Sequence, residues 1–297
     1  MTSPERRELP GAGLTLVGDR WPADPAVPRR GTCLLLHGGG QTRHSWRATG
    51  ARQAAGGWDT LSLDARGHGE SNWASDGDYS IDALVADLRA VVETLAEPPV
   101  VFGASMGGMT AIVGEGENPG LVRALVLVDI TPRVNRAGTE NIGAFMRSAP
   151  NGFGSLDEVA DAVAAFSRHR RRPRNIEGLK KNVRQRADGR WYWHWDPALM
   201  RDSQDEPRRA AGEQRLLAAA AAIRVPTLLV RGTDSDVVTA EHAAEFLALV
   251  PGAQLVEVAA GHMVAGDDND VFTRQVEGFL NLLPSGQPVD RSASPRT

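Results

Sequence analysis

Six short runs, at residues 32–36, 60–63, 100–102, 124–128, 227–230 and 254–258, constrain the fold of this chain more than any other feature. They are rich in Val and Leu, and most are apolar throughout instead of at every second position. That is the pattern of strands covered on both faces, as in a parallel sheet. Helix-period segments lie between them at 81–95, 106–115, 240–249 and 271–282. The first opens after Ser80, a good capping residue, and carries Ile81, Leu84, Val85, Leu88, Val91, Val92 and Leu95 on one face. Strand and helix alternating in this way predict an α/β fold, a doubly wound and mostly parallel sheet.

The rhythm breaks between about Val134 and Ala222, where the chain turns polar, Arg-rich and helical, and it resumes at Val225-Pro226-Thr227. This stretch reads as an all-helical cap, residues 134–222, inserted between two parts of one core, 1–133 and 223–283. Residues 284–297 are rich in Pro, Ser and Gly with little apolar content, and are expected to form a disordered tail. A chain of 297 residues is long enough to bury a substantial core.

Lys and Arg number 33 against 37 Asp and Glu, a net charge of −4 that argues against nucleic acid as a partner. Cys33 is the single cysteine, so no intrachain disulfide can form, which fits a reducing compartment. The polar start Met1-Thr2-Ser3-Pro4-Glu5-Arg6-Arg7-Glu8 has no apolar stretch behind it and is no signal peptide. The longest apolar runs, such as 216–223, fall far short of the ~20 residues that span a bilayer. A soluble, cytoplasmic protein with no membrane partner is expected; the sequence is silent on oligomeric state.

Gly103-Ala104-Ser105-Met106-Gly107-Gly108 follows a candidate buried strand and opens a candidate helix. In that context G-x-S-x-G describes a tight, strained turn whose glycines stand too close to neighbouring backbone to carry side chains. The turn lifts the Ser105 hydroxyl above the sheet, where the Met106 N–H and the helix dipole can meet a developing oxyanion. A second Gly-rich loop, His37-Gly38-Gly39-Gly40, follows the strand at 32–36. It lacks the Lys-Ser/Thr of a phosphate-binding loop and the spacing of a dinucleotide fingerprint. Gly39 is the expected second oxyanion donor, with Gly40 or Gln41 next, and His37 is expected to hold the loop by hydrogen bonds.

A serine nucleophile needs a base oriented by a carboxylate. His262 lies just past the strand at 254–258, at the carboxyl edge where Ser105 also sits. Candidate acids follow the strand at 227–230, at Asp234 and Asp236. Chain order is then Ser, Asp, His, the order of the α/β-hydrolase triad.

On these residues, with Trp46, Asp64-Ala65-Arg66-Gly67-His68-Gly69-Glu70-Ser71, Ser235-Asp236-Val237-Val238 and Gly261-His262-Met263, the chain resembles the α/β-hydrolase superfamily over nearly its whole length. The similar branch holds small bacterial serine esterases, cofactor-free haloperoxidase-like perhydrolases and epoxide-hydrolase-like scaffolds. The resemblance favours Asp236 over Asp234 as the acid and makes His68 part of a structural turn. It implies no cofactor. Epoxide hydrolases and haloalkane dehalogenases of this fold need an aspartate at the elbow, where this chain has Ser105.

Other features default to structural roles. His44, His169, His194 and His242 read as surface or capping residues, and Asp267-Asp268-Asn269-Asp270 as a helix start instead of a cation site, so no metal is predicted. Residues 168–190 hold ten Lys and Arg against Glu177 and Asp188. They read as a solvated helical face, or as a lure for anionic substrates. In Trp191-Tyr192-Trp193-His194-Trp195, period two sends Trp191, Trp193 and Trp195 to one side if the segment is extended. Their rings either anchor the cap onto the core or line a substrate pocket with Gly40.

The expected activity is hydrolysis of a small or medium-sized ester or lactone through an acyl-enzyme, with Ser105, His262 and Asp236 as the triad. A perhydrolase or C–C bond hydrolase would use the same residues. A ligand receptor of the same form would not require all three.

Overall fold

Eight strands form one sheet at the centre of the computed structural model, which describes residues 3–166, 175–201, 205–262 and 270–283. They are β1 (Glu5–Pro10), β2 (Thr15–Trp21), β3 (Gly31–Leu36), β4 (Trp58–Asp64), β5 (Val100–Ala104), β6 (Ala124–Val128), β9 (Thr227–Gly232) and β10 (Gln254–Val258). Spatial order is β1-β2-β4-β3-β5-β6-β9-β10. From β4 to β10 every pairing is parallel. The doubly wound sheet expected from the apolar runs is therefore present.

Two strands had no counterpart in the sequence reading. β1 and β2 pair antiparallel with each other, and β2 pairs antiparallel with β4. The edge strand β1 is exposed along nearly all its length. Its Glu-Arg-Arg-Glu start therefore carries no apolar run to read.

Apolar side chains leave both faces of the sheet by simple alternation. In β6, Leu125 and Leu127 enter one core with Leu34, Val101 and Ile112, while Ala124, Val126 and Val128 enter the other with Phe102 and Trp46. Each fully buried Leu, Val or Phe of this kind contributes about 1.5–3 kcal/mol relative to exposure. The covering helices are α1 (Arg47–Ala55), α2 (Ile81–Glu93), α3 (Met106–Glu117), α6 (Glu206–Ala222), α7 (Ala240–Leu249) and α8 (Asp270–Leu282). Ser80 caps α2 as anticipated, accepting the Ala83 N–H at 3.3 Å.

Between β6 and α6 lie α4 (Arg136–Met146), α5 (Leu156–Phe166) and a hairpin of β7 (Val183–Gln185) with β8 (Trp191–Trp193). The insertion is thus not wholly helical, as the sequence reading had it. Three-residue strands are too short to show a period. These elements enclose a small core of their own, containing Met146, Phe153, Val159, Leu179, Trp193 and Trp195. Helix α6, which the reading assigned to the cap, packs instead on the main body. Its Ala219 and Ala220 join the core of Leu88 and Ile112, and its backbone approaches α3 closely at Gly116. The tail at 284–297, the acidic run before α8 and His169 lie outside the described residues.

Candidate active site

All the parallel strands end at one edge, and the site is built there from the residues that follow them. Ser105 follows β5 at φ 46° and ψ −112°, a conformation that side-chain-bearing residues rarely adopt. Its neighbours are glycines for a steric reason. A Cβ on Gly103 would lie 2.6 Å from the Gly108 Cα, and one on Gly107 2.5 Å from the Leu36 carbonyl oxygen. The Ser105 N–H donates to the Val128 carbonyl at 3.3 Å, tying the elbow to the end of β6.

The next residue after β6 is Asp129, also in the left-handed region (φ 49°) and fully buried. Its carboxylate is held by three donors. Gly232 N–H reaches Oδ1 at 3.1 Å, and Ser235 Oγ reaches Oδ2 at 2.5 Å. His262 Nδ1 reaches the same Oδ2 at 2.6 Å. An imidazole that donates from Nδ1 keeps Nε2 as its acceptor, the tautomer a general base needs.

The sequence reading put the acid at Asp236, with Asp234 second. Both are exposed, and the carboxylate against His262 is that of Asp129. The turn after β9 closes around Ser235, whose Oγ accepts the Val237 and Val238 N–H groups at 3.1 Å each while donating to Asp129. Ser235 therefore faces inward and Asp236 outward. Asp129 carried a readable signal, an acid directly after a buried strand beside the nucleophile's strand.

His262 and Ser105 stand at the same edge, linked through Asp129 and the end of β6. No hydrogen bond joins the Ser105 hydroxyl to the His262 ring, a contact of the kind that often tightens only with substrate bound.

The Gly38-Gly39-Gly40 loop, expected to supply an oxyanion donor, is pinned by buried histidines. His37 Nδ1 donates to the Gly38 carbonyl at 2.7 Å, and His37 Nε2 accepts the Ala65 N–H at 3.0 Å. Gln41 N–H also donates to the Gly38 carbonyl, at 3.1 Å, and Gly40 N–H donates to His68 Nε2 at 3.1 Å. Both alternatives to Gly39 therefore have their N–H groups committed. In a trans peptide the carbonyl and the N–H point opposite ways, so anchoring the Gly38 carbonyl turns the Gly39 N–H away from His37. Among the described residues, neither the Gly39 nor the Met106 N–H has a hydrogen-bond partner. Burial keeps His37 below its ordinary pKa and His68 well below it.

The segment inserted between β6 and α6 lies directly on this loop. Cβ positions built on Gly39 and Gly40 fall 3.5 Å from Met146 Sδ and 3.4 Å from Met146 Cγ, and the one on Gly40 falls 3.5 Å from Trp195. Trp193 and Trp195 stack 4.9 Å apart inside the cap, and Trp195 Nε1 donates to the Met146 carbonyl at 3.1 Å. Trp191 pairs its backbone with Phe153 and stays half buried. Of the three rings, Trp195 is the one against the loop.

The hydrogen bonds from this stretch to the body come from its even-numbered residues. His194 Nδ1 accepts the Gly69 N–H at 2.8 Å, Asp196 N–H donates to the Gly67 carbonyl at 2.8 Å, and Tyr79 donates to Asp196 Oδ2 at 2.5 Å. His194, expected at the surface, is buried, because it sits on the inward side of this alternating segment. His242 does cap a helix, completing a box with Thr239 at the start of α7. In the basic segment, a short 3-10 helix (Glu177–Asn182) buries Leu179 and exposes Lys180 and Lys181, the hairpin follows it, and 168–174 lie outside the described residues.

Mostly parallel sheet, serine elbow and buried Asp–His pair at the carboxyl edge together define a hydrolase architecture. Residues 32–268 match the family model described as alpha/beta hydrolase fold, and the chain belongs to that family. It is 32% identical over 260 residues to esterase Rv0045c of Mycobacterium tuberculosis, covering 84% of this chain and 82% of that protein. It is likewise 32% identical over 263 residues to the 3-hydroxybutyrate-oligomer hydrolase of Cupriavidus necator, covering 84% and 88%. A solved structure of the M. tuberculosis esterase superposes with a TM-score of 0.69 at 28% identity, covering 95% of this chain and 93% of that one. The protein is an enzyme of hydrolase type. Among the described residues, no helix is long and apolar enough to cross a membrane.

Proposed function

We propose that this protein is a cytoplasmic serine hydrolase that cleaves a carboxylic ester or lactone of small or medium size through an acyl-enzyme. The observation that carries the reading is the 2.6 Å hydrogen bond from His262 Nδ1 to buried Asp129, at the sheet edge where Ser105 stands in its strained elbow. In this reading His262 Nε2 takes the Ser105 proton as Oγ attacks the substrate carbonyl. Asp129 holds the ring tautomer and steadies the imidazolium. The Gly39 and Met106 N–H groups receive the oxyanion, assisted by the N-terminus of α3. His262 then protonates the leaving alcohol, activates water on the opposite pass, and the acyl-enzyme is hydrolysed. The names of two relatives, an esterase and an oligomer hydrolase, support ester chemistry here. The apolar side chains of Met146 and Trp195 beside Gly39 and Gly40 support a substrate with an apolar portion next to its reacting carbonyl.

The experiment is turnover of p-nitrophenyl esters and lactones of graded acyl length by wild type, Ser105→Ala and His262→Ala. Each variant is expected to lose on the order of 10⁴–10⁶ in kcat, as groups acting as one unit do. Retention of ester turnover by Ser105→Ala would remove the reading.

A further inference from the structure

His194 is the feature that the proposed chemistry leaves unused. It belongs to the cap, yet its ring lies in the body among His37 and His68, with His68 centroids 5.0 Å from His37 and 5.9 Å from His194. Its Nδ1 accepts the Gly69 N–H at 2.8 Å, which fixes the neutral ring as the Nε2–H tautomer. That Nε2 is buried and has no hydrogen-bond partner at ordinary geometry. A buried donor left unpaired is costly and calls for an explanation. The Gly40 carbonyl is the backbone acceptor that acts on this ring, while burial, followed by the neighbouring His37, lowers the ring's pKa to about 3.

Gly40 is therefore addressed from both sides. Its N–H donates to His68 Nε2 at 3.1 Å, the His68 and His194 ring centroids lie 5.9 Å apart, and the Gly40 carbonyl acts on the His194 ring without completing a hydrogen bond to its Nε2. Gly40 sits at φ 72°, a left-handed conformation with soft alternatives for a glycine, so its two peptide planes need external anchors. The plane before it, held by His68, leads back to Gly39, whose N–H is the second oxyanion donor in the reading above, and the plane after it carries the carbonyl on the His194 side.

We propose that His194 is a positioning residue for the oxyanion hole, its Nε2–H reserved for the Gly40 carbonyl, so that the docked cap holds the Gly39 N–H in its productive direction. The inference rests on the reading of Ser105 as nucleophile and Gly39 as oxyanion donor. The donor closes on Gly40 as negative charge develops on the substrate oxygen and draws the loop tight. His194 touches no reacting atom. Its effect falls on transition-state binding more than on ground-state binding.

The two ring nitrogens can be separated by substitution. In His194→Asn the amide oxygen occupies the place of Nδ1 and keeps an acceptor for Gly69. In His194→Gln the amide reaches the place of Nε2 and supplies a donor toward Gly40. With the p-nitrophenyl ester that wild type turns over best, His194→Asn is expected to lose about 10- to 100-fold in kcat, below the loss of a whole oxyanion donor. His194→Gln is expected to stay within about 3-fold of wild type, with KM moving less than kcat in both. Affinity for a trifluoromethyl ketone analogue of the tetrahedral intermediate should fall in step with kcat. Asparagine performing as well as glutamine, or both losing kcat equally, overturns the proposal. In wild type, imidazole ¹⁵N shifts should report His194 as Nε2–H; an Nδ1–H tautomer overturns it without any variant. Fluorophosphonate labelling of wild type but not Ser105→Ala checks the underlying reading. A wild type that resists labelling removes both, whereas a labelled wild type with an unimpaired His194→Asn removes this inference alone.

Discussion

Asp129 combines full burial with a left-handed backbone, a conformation that costs a non-glycine residue about 1–2 kcal/mol. Three hydrogen bonds to its carboxylate, one from the catalytic candidate His262, offset that cost. Replacing it separates the two acids. Asp129→Asn should lower kcat by about 10³–10⁴ through the wrong imidazole tautomer, while Asp236→Asn should stay within about 3-fold. Steady-state kinetics on one ester decides between them, and equal losses would contradict the assignment. The sequence marks Ser105 and His262 as candidates because each sits in a motif next to a strand end, and the structure brings both to one edge. Asp129 was not legible by the same route. Its neighbours Val128 and Ile130 are ordinary core residues, whereas the Ser235-Asp236 pair offered a conspicuous acid whose working member proves to be the serine.

At the scale of elements, the strand–helix alternation could be read because continuous apolar runs report burial on both faces. The six expected strands all appear, two of them, β6 and β10, with the expected ends. What escaped were elements whose burial is one-sided or very short. Among these are the exposed edge strand β1, its partner β2, whose buried residues include the polar Asp19, and the hairpin β7 and β8. Period two in the Trp191–Trp195 stretch was visible, but sequence alone cannot say which side faces the cap core and which the body. Helix α6 shows a different limit. Its long alanine run is equally compatible with a cap or a core, and contact with α3 decides. That contact is testable at Gly116, where a Cβ would stand 2.2 Å from the Ala219 carbonyl oxygen. Gly116→Ala should destabilise the fold by about 1–3 kcal/mol, as forced overpacking does. Urea unfolding would show a lower midpoint, and an unchanged midpoint would mean that the two helices are not pressed together.

Across the whole molecule, three buried histidines knit the Gly38-Gly39-Gly40 loop, the Arg66–Gly69 turn and the segment inserted after β6 into one polar cluster. Burial holds all three below their ordinary pKa, His194 at about 3. Each accepts a backbone N–H, from Ala65, Gly40 or Gly69, so each works in its neutral form. Above pH about 6.5 folded and unfolded chains bind the same number of protons at these rings, and their contribution to stability is fully present. Below that the unfolded chain takes up protons that the folded one refuses. For His194, stability falls by about 1.4 kcal/mol per pH unit until the pH reaches the folded value near 3. The urea midpoint is expected to drop between those limits, and to drop less steeply in His194→Asn. An identical slope in the variant would contradict the buried neutral state of that ring.

The central claim is that the strained serine after β5 is the group that bonds covalently to substrate. Its most direct test is intact-mass and peptide mapping of the protein after reaction with a fluorophosphonate. One adduct per chain is expected, located on Ser105, absent in Ser105→Ala and formed far more slowly in Asp129→Asn. An adduct on another residue, or none in wild type, would contradict it.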